Sequence, residues 1–167
     1  IRTGDKIIPV ESWATPIYDS IGDISYGIIA FTDITERKQA EAALVQAEEK
    51  YRRIFENALE GIFQTATDGK LISANPALAQ IYGYDSPEEL LASVNDIERQ
   101  LYVEPNRRQE FFALMEKYGT LSEFESEVYR RDGSIIWISE DARTVFDARG
   151  EVLYYQGFAE DITLRRV

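Results

Sequence analysis

The chain has 167 residues, a formal net charge of −12 at pH 7, and neither cysteine nor histidine. The negative charge repels phosphate backbones and anionic lipids, so we expect no nucleic-acid partner and no membrane contact from this segment. No run approaches the ~20 apolar residues of a membrane-spanning helix and no signal peptide is visible, so we expect a cytoplasmic protein. Because the chain opens on Ile rather than Met, we also expect it to be part of a longer protein.

The chain starts with a predicted β-hairpin whose sequence recurs near its end. Strand-forming residues 7–13 and 24–31 flank a turn-forming segment at residues 19–23. Residues 2–38 align without a gap with residues 130–166, so that Asp33-Ile34-Thr35 falls on Asp161-Ile162-Thr163. This repeat indicates a tandem array, in which residues 1–35 are the last strands of an upstream unit.

A long helix is predicted over residues 36–57, which contain no Gly or Pro and many strong helix formers. Asp33 is the expected N-cap, with Glu36 completing a pair that resembles a capping box. A seam of apolar and small residues follows at intervals of four and three: Ala40, Leu44, Ala47, Tyr51, Ile54 and Ala58. This a/d pattern favours a two-stranded parallel coiled coil, with Leu44, Ala47, Tyr51 and Ile54 at the dimer seam. The alternative is an amphipathic helix that lies on its own domain.

The remaining sequence predicts two strands, several helices and three strands. The first two strands, residues 61–65 and 70–74, flank a turn at Thr67-Asp68-Gly69. Helices are expected after Asn75 and Ser86, each of which precedes a proline, and over residues 106–118. Strands follow at residues 124–130, 134–146 and 152–159. This order predicts an α+β fold, an antiparallel sheet with helices on one face.

These motifs resemble the PAS domain family over residues 58–163. The resemblance is carried by Gly61-Ile62-Phe63, Asp68-Gly69-Lys70-Leu71-Ile72, Asn75-Pro76-Ala77, Tyr82-Gly83-Tyr84, Arg131-Asp132-Gly133 and Asp161-Ile162-Thr163. The earlier Asp33-Ile34-Thr35-Glu36-Arg37 resembles the signature that joins one PAS domain to the next. The resemblance therefore implies the strands of an upstream PAS domain (residues 1–35), a linker helix (36–57), a complete PAS domain (58–163) and the start of an exit linker (164–167). Leu164 replaces the Glu of the first signature, which leaves the exit helix less well capped.

The resemblance implies a sensory and signal-relay module of a multidomain bacterial protein. Its output domain, further along the same chain, would be a histidine kinase or a nucleotide cyclase. The implied relay residues are Asp33, Thr35, Asp161 and Thr163, and the linker helices would pass the signal on. The implied partner is a second copy of the chain, held through the linker helix and the N-terminal hairpin.

Two functions remain open for the predicted domain. One is a sensor with a small ligand held between sheet and helices, in a cavity lined by Phe63, Ile72, Leu78, Ile81, Tyr82, Met115, Trp137 and Phe158. The other is a relay and dimerisation module without a ligand, in which the same side chains fill the core. We favour relay, because aromatic residues and Met at such spacings are more often core than pocket.

The absent residue types restrict the cofactors. Without histidine, a His-ligated haem and a phosphoacceptor histidine in this segment are excluded. Without cysteine, Cys-linked flavin or bilin is excluded, as are zinc sites of the Cys/His kind. We interpret Met115 as core rather than as an iron ligand. We expect no cofactor, and a non-covalent small ligand remains open.

No catalytic residue is predicted. Glu123, Glu125 and Glu127 alternate along a strand, which is typical of the solvated face of a half-buried sheet. No phosphate-binding loop, nucleophile elbow or metal-ligand pattern is present. The arginine pairs at 52–53, 107–108 and 130–131 are interpreted as solvated surface charges. We therefore expect this segment not to be an enzyme.

Overall fold

The computed structural model describes residues 2–3 and 6–166, with side chains from residue 7 onward. The chain divides into two compact units, residues 1–52 and residues 53–167. Ile1, Gly4, Asp5 and Val167, which belong to the predicted N-terminal strands and exit linker, lie outside the described residues.

The first unit contains the predicted hairpin. Its strands are β1 (Arg2–Thr3), β2 (Lys6–Ile7), β3 (Val10–Tyr18) and β4 (Ile24–Asp33). β1 pairs with β2, and β3 with β4, both antiparallel. In the tight turn between β3 and β4, the Asp19 carboxylate accepts hydrogen bonds from the backbone N–H groups of Ile21 and Asp23, at 2.9 and 3.0 Å. An aspartate side chain that binds the backbone in this way stabilises the turn, as its position in the sequence predicted.

Helix α1 (Thr35–Asn57) follows the hairpin and matches the predicted helix closely. Asp33 stands one position before the N-cap rather than at it. Its carboxylate still accepts the backbone N–H of Thr35, the first helical residue, at 2.8 Å. No residue of α1 is buried. The helix therefore forms because its residues favour the helical conformation, and the apolar side of the predicted seam is exposed to solvent.

The second unit is an antiparallel five-stranded sheet. Its strands are β5 (Gly61–Thr65), β6 (Leu71–Ala74), β7 (Thr120–Tyr129), β8 (Ile135–Phe146) and β9 (Val152–Asp161), in the spatial order β6-β5-β9-β8-β7. Between β6 and β7 the chain forms α2 (Pro76–Ile81), α3 (Pro87–Ser93), α4 (Ile97–Gln100) and α5 (Arg107–Tyr118), and a 3₁₀ turn (Thr163–Arg165) follows β9. The predicted α+β fold is confirmed.

Side-chain caps define three of the helix starts. Asn75 and Ser86 cap α2 and α3 as predicted, each followed by a proline. Asp96 caps α4, a short helix that the sequence analysis did not predict. Asn106 precedes α5 in a left-handed conformation (φ 68°) without a side-chain cap. β7 begins at Thr120, four residues earlier than predicted, because the left-handed Gly119 ends α5 and turns the chain directly into the sheet.

The core lies between one face of the sheet and the helices. Every second residue of β7 from Phe124 to Val128 and of β8 from Ile136 to Ala142 faces it, including Val128 and Ile138, which are fully buried. The ring of Phe111 from α5 contacts Phe124 edge-on, with centroids 5.9 Å apart. The other face of β7 carries Glu125 and Glu127, as predicted for its solvated side.

The β3–β4 hairpin and the β8–β9 hairpin share one register. Val10 pairs with Asp33, and at the repeat-equivalent positions Ile138 pairs with Asp161. The register shifts at the same place in both hairpins, between residues 17 and 18 and between residues 145 and 146. The sequence repeat is therefore also a repeat of strand pairing.

Candidate functional site

A small cavity lies between the sheet and the helices of the second unit. Its volume is about 20 Å³. Ten residues line it: Phe63, Thr65, Leu71, Leu78, Tyr82, Ile97, Leu101, Tyr102, Arg108 and Glu140. A volume of this size holds about one water molecule. Of the residues proposed from the sequence, Phe63, Leu78 and Tyr82 line it.

The other predicted pocket residues lie elsewhere. Met115 is buried in the same core without lining the cavity, and Ile81 packs half-buried against that core. Ile72, Trp137 and Phe158 lie on the opposite face of the sheet, which corrects their predicted place. Their strand neighbours take the inward positions, and side chains alternate between the two faces of a strand.

A buried acid and a tyrosine meet at the cavity wall. The Tyr102 hydroxyl donates a hydrogen bond to Glu140 Oε2 at 2.7 Å, and both residues are buried. Burial raises the pKa of Glu140, although the hydrogen bond from Tyr102 and the charge of Arg108 partly oppose this. Burial likewise raises the pKa values of Tyr102 and Tyr82 well above the ordinary tyrosine range. The hydroxyl groups therefore stay neutral donors at physiological pH.

Arg108 is buried at the same wall, with 4% of its surface exposed, which corrects its interpretation as a solvated charge. Its guanidinium lies over the rings of Phe111 and Phe112, at 4.5 and 4.6 Å from their centroids. Its Nε and Nη2 atoms have no hydrogen-bond partner, and neither has Thr65 Oγ1. All three atoms belong to residues that line the cavity, and they are exceptions to the rule that buried polar groups are paired.

A second candidate site lies where the sheet ends. The Asp161 carboxylate accepts hydrogen bonds from the Thr163 backbone N–H (2.9 Å), the Thr163 hydroxyl (2.6 Å) and Arg130 Nη2 (2.8 Å). The Thr163 hydroxyl also accepts the backbone N–H of Trp137 at 3.0 Å, which ties this end to β8. Partial burial would raise the pKa of Asp161, but the hydrogen bonds from Thr163 and the Arg130 charge hold it below its usual range. Arg130 is thus an ion-pair partner rather than a solvated charge.

The same arrangement stands before α1. The Asp33 carboxylate accepts hydrogen bonds from the backbone N–H and the hydroxyl of Thr35, at 2.8 and 2.5 Å. Ile34 N–H donates to the Pro9 carbonyl, as Ile162 N–H donates to the Trp137 carbonyl. After Thr35 the chain forms a 23-residue helix, whereas after Thr163 the described residues form only a 3₁₀ turn. Of the predicted exit linker, the described residues include only 164–166, which continue this turn.

Asn75 joins the end of α1 to the core of the second unit. Its amide nitrogen donates to the carbonyls of Phe55 and Glu60, at 3.1 and 3.0 Å. Its carbonyl oxygen accepts the N–H groups of Ile62 and Leu78, at 2.7 and 3.0 Å. Asn75 is fully buried, and these four bonds use all of its hydrogen-bonding capacity. Its position in the sequence, directly before Pro76, predicts only the helix cap.

The predicted dimer-seam residues are exposed on α1. Leu44, Tyr51 and Ile54 each expose about 60% of their surface (61%, 59% and 60%), and Ala47 is exposed as well. Their spacing places them on one side of the helix. The apolar and small residues that the sequence places on one side of this helix are therefore exposed to solvent.

Neither a metal site nor a membrane span is found in residues 2–3 and 6–166. No group of three or more carboxylates there could hold a metal ion. Within the same residues, each helix is too short or too polar to cross a bilayer.

Comparison with known proteins supports one family. The sensor histidine kinase TmoS of Ectopseudomonas mendocina is 25% identical over 133 residues, which cover 77% of this chain and 13% of that protein. The bacterioopsin transcriptional activator of Halobacterium salinarum is 33% identical over 125 residues, covering 70% of this chain and 18% of that protein. The chain thus spans less than a fifth of the length of either relative.

The fold and the family agree. A crystal structure of a PAS domain from Colwellia psychrerythraea superposes with a TM-score of 0.61 at 21% identity, covering 71% of this chain and 99% of that one. That likeness concerns the fold alone. Residues 59–164 match the family described as the PAS domain. The chain therefore belongs to the PAS domain family and is a sensory signalling module.

Proposed function

We propose that the chain is a signal-relay module that transmits changes in the sheet of its PAS domain to the linker helix before that domain and to the segment that follows it. The observation that carries this proposal is the repeated Asp-Ile-Thr contact. At Asp161 and Thr163 it ties the segment after the sheet to β8, and at Asp33 and Thr35 it starts α1. A shift in the strand that holds Thr163 would move the residues that follow it.

The PAS domain is a non-catalytic fold, and this segment is not an enzyme. The relatives that it matches are several times longer, and one of them is a sensor histidine kinase. We infer that the output domain of the longer protein is a histidine kinase, with a nucleotide cyclase as the alternative. The match to a sensor histidine kinase favours the histidine kinase.

We also propose that the relay works as a homodimer. The exposed stripe of Leu44, Ala47, Tyr51 and Ile54 spans about two heptads, and two such stripes would bury each other in a parallel coiled coil. So short a seam is weak alone, so further contacts between the two copies are needed. The hairpin is our candidate for those contacts.

Both faces of the β3–β4 hairpin are apolar. Val10, Ala14, Ile29 and Phe31 occupy the positions that face the core in the β8–β9 hairpin, so the helices of an upstream PAS domain would cover them. Trp13, Ile17, Tyr26 and Ile28 occupy the opposite face, with Trp13 55% exposed and Tyr26 60% exposed. We assign that second face to the equivalent hairpin of the other copy, because an isolated two-stranded hairpin is marginal in water. The shared register supports the assignment of residues 1–35 to an upstream domain.

Ligand sensing is the second candidate function. It rests on the cavity with its three unpaired buried polar atoms, Thr65 Oγ1, Arg108 Nε and Arg108 Nη2. An absorbance scan and a native mass spectrum of the purified protein separate the two candidates. A protein mass with no additional molecule supports relay alone, and a stoichiometric small molecule establishes a sensor.

A further inference from the structure

Three contacts of the exit segment, which we define as residues 162–166, converge on Trp137 of β8. The Ile162 N–H donates to the Trp137 carbonyl at 2.9 Å, and the Trp137 N–H donates to the Thr163 hydroxyl at 3.0 Å. The guanidinium carbon of Arg166 lies 3.9 Å from the centroid of the Trp137 ring. The exit segment therefore contacts both the backbone and the side chain of one residue in the sheet.

The surroundings of the Trp137 ring favour a cation. The ring is half-buried and lines a groove together with four carboxylate side chains: Glu104, Glu123, Glu125 and Glu127. Arg107, also in this groove, is held by hydrogen bonds to Ser126 Oγ and to the Glu125 carbonyl, at 3.0 and 2.7 Å.

Arg166 uses both features of this groove. Its guanidinium stacks on the indole ring and pairs with the Glu125 carboxylate. A planar guanidinium can stack on a ring and bind a carboxylate at its edge at the same time, which the compact ammonium of lysine does less well. The groove around Trp137 is thus chemically suited to an arginine side chain.

The first copy of the sequence repeat lacks this site. Pro9 stands at the position equivalent to Trp137, and proline has neither a backbone N–H nor an aromatic ring. Its carbonyl accepts the Ile34 N–H at 3.1 Å, which is the one contact that both copies share. Lys38, equivalent to Arg166, pairs with Glu41 on its own helix at 3.6 Å. The other two contacts are therefore not a consequence of the repeated strand pairing but depend on Trp137 itself.

We propose that Trp137 is the positioning residue through which β8 directs the exit segment, with its ring as the binding site of the Arg166 guanidinium. A shift of β8 then moves residues 162, 163 and 166 together. Without the ring contact, β8 would hold this segment only at its first two residues. The part of this inference that concerns transmission rests on the relay function proposed above, whereas the binding of Arg166 to Trp137 does not.

Arg165 supplies the matched control. It precedes Arg166 directly and pairs with Glu160 of β9 at 2.6 Å, with both side chains largely exposed. Exposed ion pairs contribute little to stability. Arg165→Gln therefore removes the same charge from the same segment without touching Trp137.

NMR spectroscopy of the chain tests the binding of Arg166. The ring current of an indole shields groups above its face, so the side-chain CH₂ protons of Arg166 should resonate upfield of those of Arg165. Trp137→Leu should abolish this upfield shift and speed up amide hydrogen exchange at Arg166 about two- to fivefold, as expected for the loss of a cation–π contact at an exposed site. Arg165→Gln should leave the Arg166 signals in place.

Two results would overturn this binding: Arg166 protons without an upfield shift in the wild type, or equal exchange rates at Arg166 in Trp137→Leu and wild type. If Trp137→Leu does not fold, Arg166→Gln serves instead, because residue 166 lies outside the core. That variant should shift the indole N–H signal of Trp137, and an unchanged signal would count against the contact.

Output activity of the longer protein tests the transmission. Trp137→Leu and Arg166→Gln should both alter it, and Arg165→Gln should not. Unaltered output in a folded Trp137→Leu protein overturns the role of Trp137, and if Asp161→Ala still alters output, the relay function stands without it. If neither Trp137→Leu nor Asp161→Ala alters output, the relay function fails as well.

Discussion

The side-chain nitrogen of Asn75 lies 3.1 Å from the carbonyl oxygen of Phe55, near the end of α1. This bond links the last turn of the linker helix to a residue that also starts α2 and contacts β5. A motion of the helix end therefore cannot leave the core unaffected.

Asn75→Ala should lower the free energy of unfolding by about 3 kcal/mol, because it leaves buried donors and acceptors unpaired. Asn57→Ala, which removes an exposed bond to the Arg53 carbonyl, should cost no more than about 0.5 kcal/mol. Urea denaturation measures both. A similar small loss for the two variants would show that Asn75 is not a structural link.

Asn75→Asp tests the link more narrowly. A carboxylate still accepts the N–H groups of Ile62 and Leu78 but faces the Phe55 and Glu60 carbonyls without a donor. Hydrogen exchange should therefore speed up in the last turn of α1 more than at the start of α2. Equal acceleration in both would contradict the separate role of the amide nitrogen.

The dimer seam is tested by adding charge. Leu44→Glu together with Ile54→Glu places two carboxylates in the proposed coiled-coil interface and should give monomer in sedimentation analysis, because buried unpaired charge is costly. Gln39→Glu together with Gln46→Glu adds the same charge on the other side of α1 and should leave the dimer intact. A seam variant that stays dimeric would place the interface elsewhere.

The hairpin prediction concerns residues 1–34. Deleting them should leave the PAS domain folded and shift the association equilibrium towards monomer. Ile28→Glu, on the face assigned to the second copy, should have the same effect, whereas Ile29→Glu on the opposite face should have less. If the shortened chain associates as tightly as the full chain, the hairpin takes no part in dimerisation.

Glu140 gives a pH dependence of definite sign. Its pKa is raised in the folded state by burial, so the native protein holds this proton where the unfolded chain has lost it. The protonated Glu140 side chain contributes its full stabilisation at pH values below the pKa that it has in the unfolded chain. This stabilisation is lost as the pH rises through the pKa of Glu140 in the folded protein. Glu140→Gln keeps an acceptor for Tyr102 and removes this loss, so its melting temperature relative to wild type should rise from about pH 5 to about pH 8.

Glu151→Gln, at an exposed position, is the control for that comparison. Its difference from wild type should stay constant over the same pH range. A constant difference for Glu140→Gln as well would mean that burial does not shift the titration of Glu140.

Short-range signals in the sequence predicted the elements well. Asn75 and Ser86 act on backbone groups within one helical turn, and the prolines behind them fix the first helical residue. Helix α4 carries the same kind of signal at Asp96, but its four residues are too few to show a helical period. The turn at residues 147–150 has a similarly clear sequence signal, because the Asp147 carboxylate accepts the N–H groups of Arg149 and Glu151.

The cavity could be predicted only in part. Residues 135–138 are all apolar, so alternation could not show that Ile136 and Ile138 face the core and Trp137 does not. The buried places of Arg108 and Glu140 depend on residues distant in sequence, such as Tyr102 and Phe111. Charged residues are normally exposed, and nothing local marked these two as exceptions.

The central claim is that Asp161 transmits a signal, and activity of the longer protein with its output domain tests it most directly. Asp161→Ala should change output activity while lowering the melting temperature of the PAS domain only by about 4–8 °C, the effect of losing about 1 kcal/mol. Asp147→Ala is the control at the far end of the same hairpin. It removes two hydrogen bonds to backbone N–H groups, whereas Asp161→Ala removes one to a backbone N–H and two to side chains. The account predicts a similar melting temperature for both variants and altered output for Asp161→Ala alone. Unaltered output in a folded Asp161→Ala protein, or equal changes in the two variants, would contradict it.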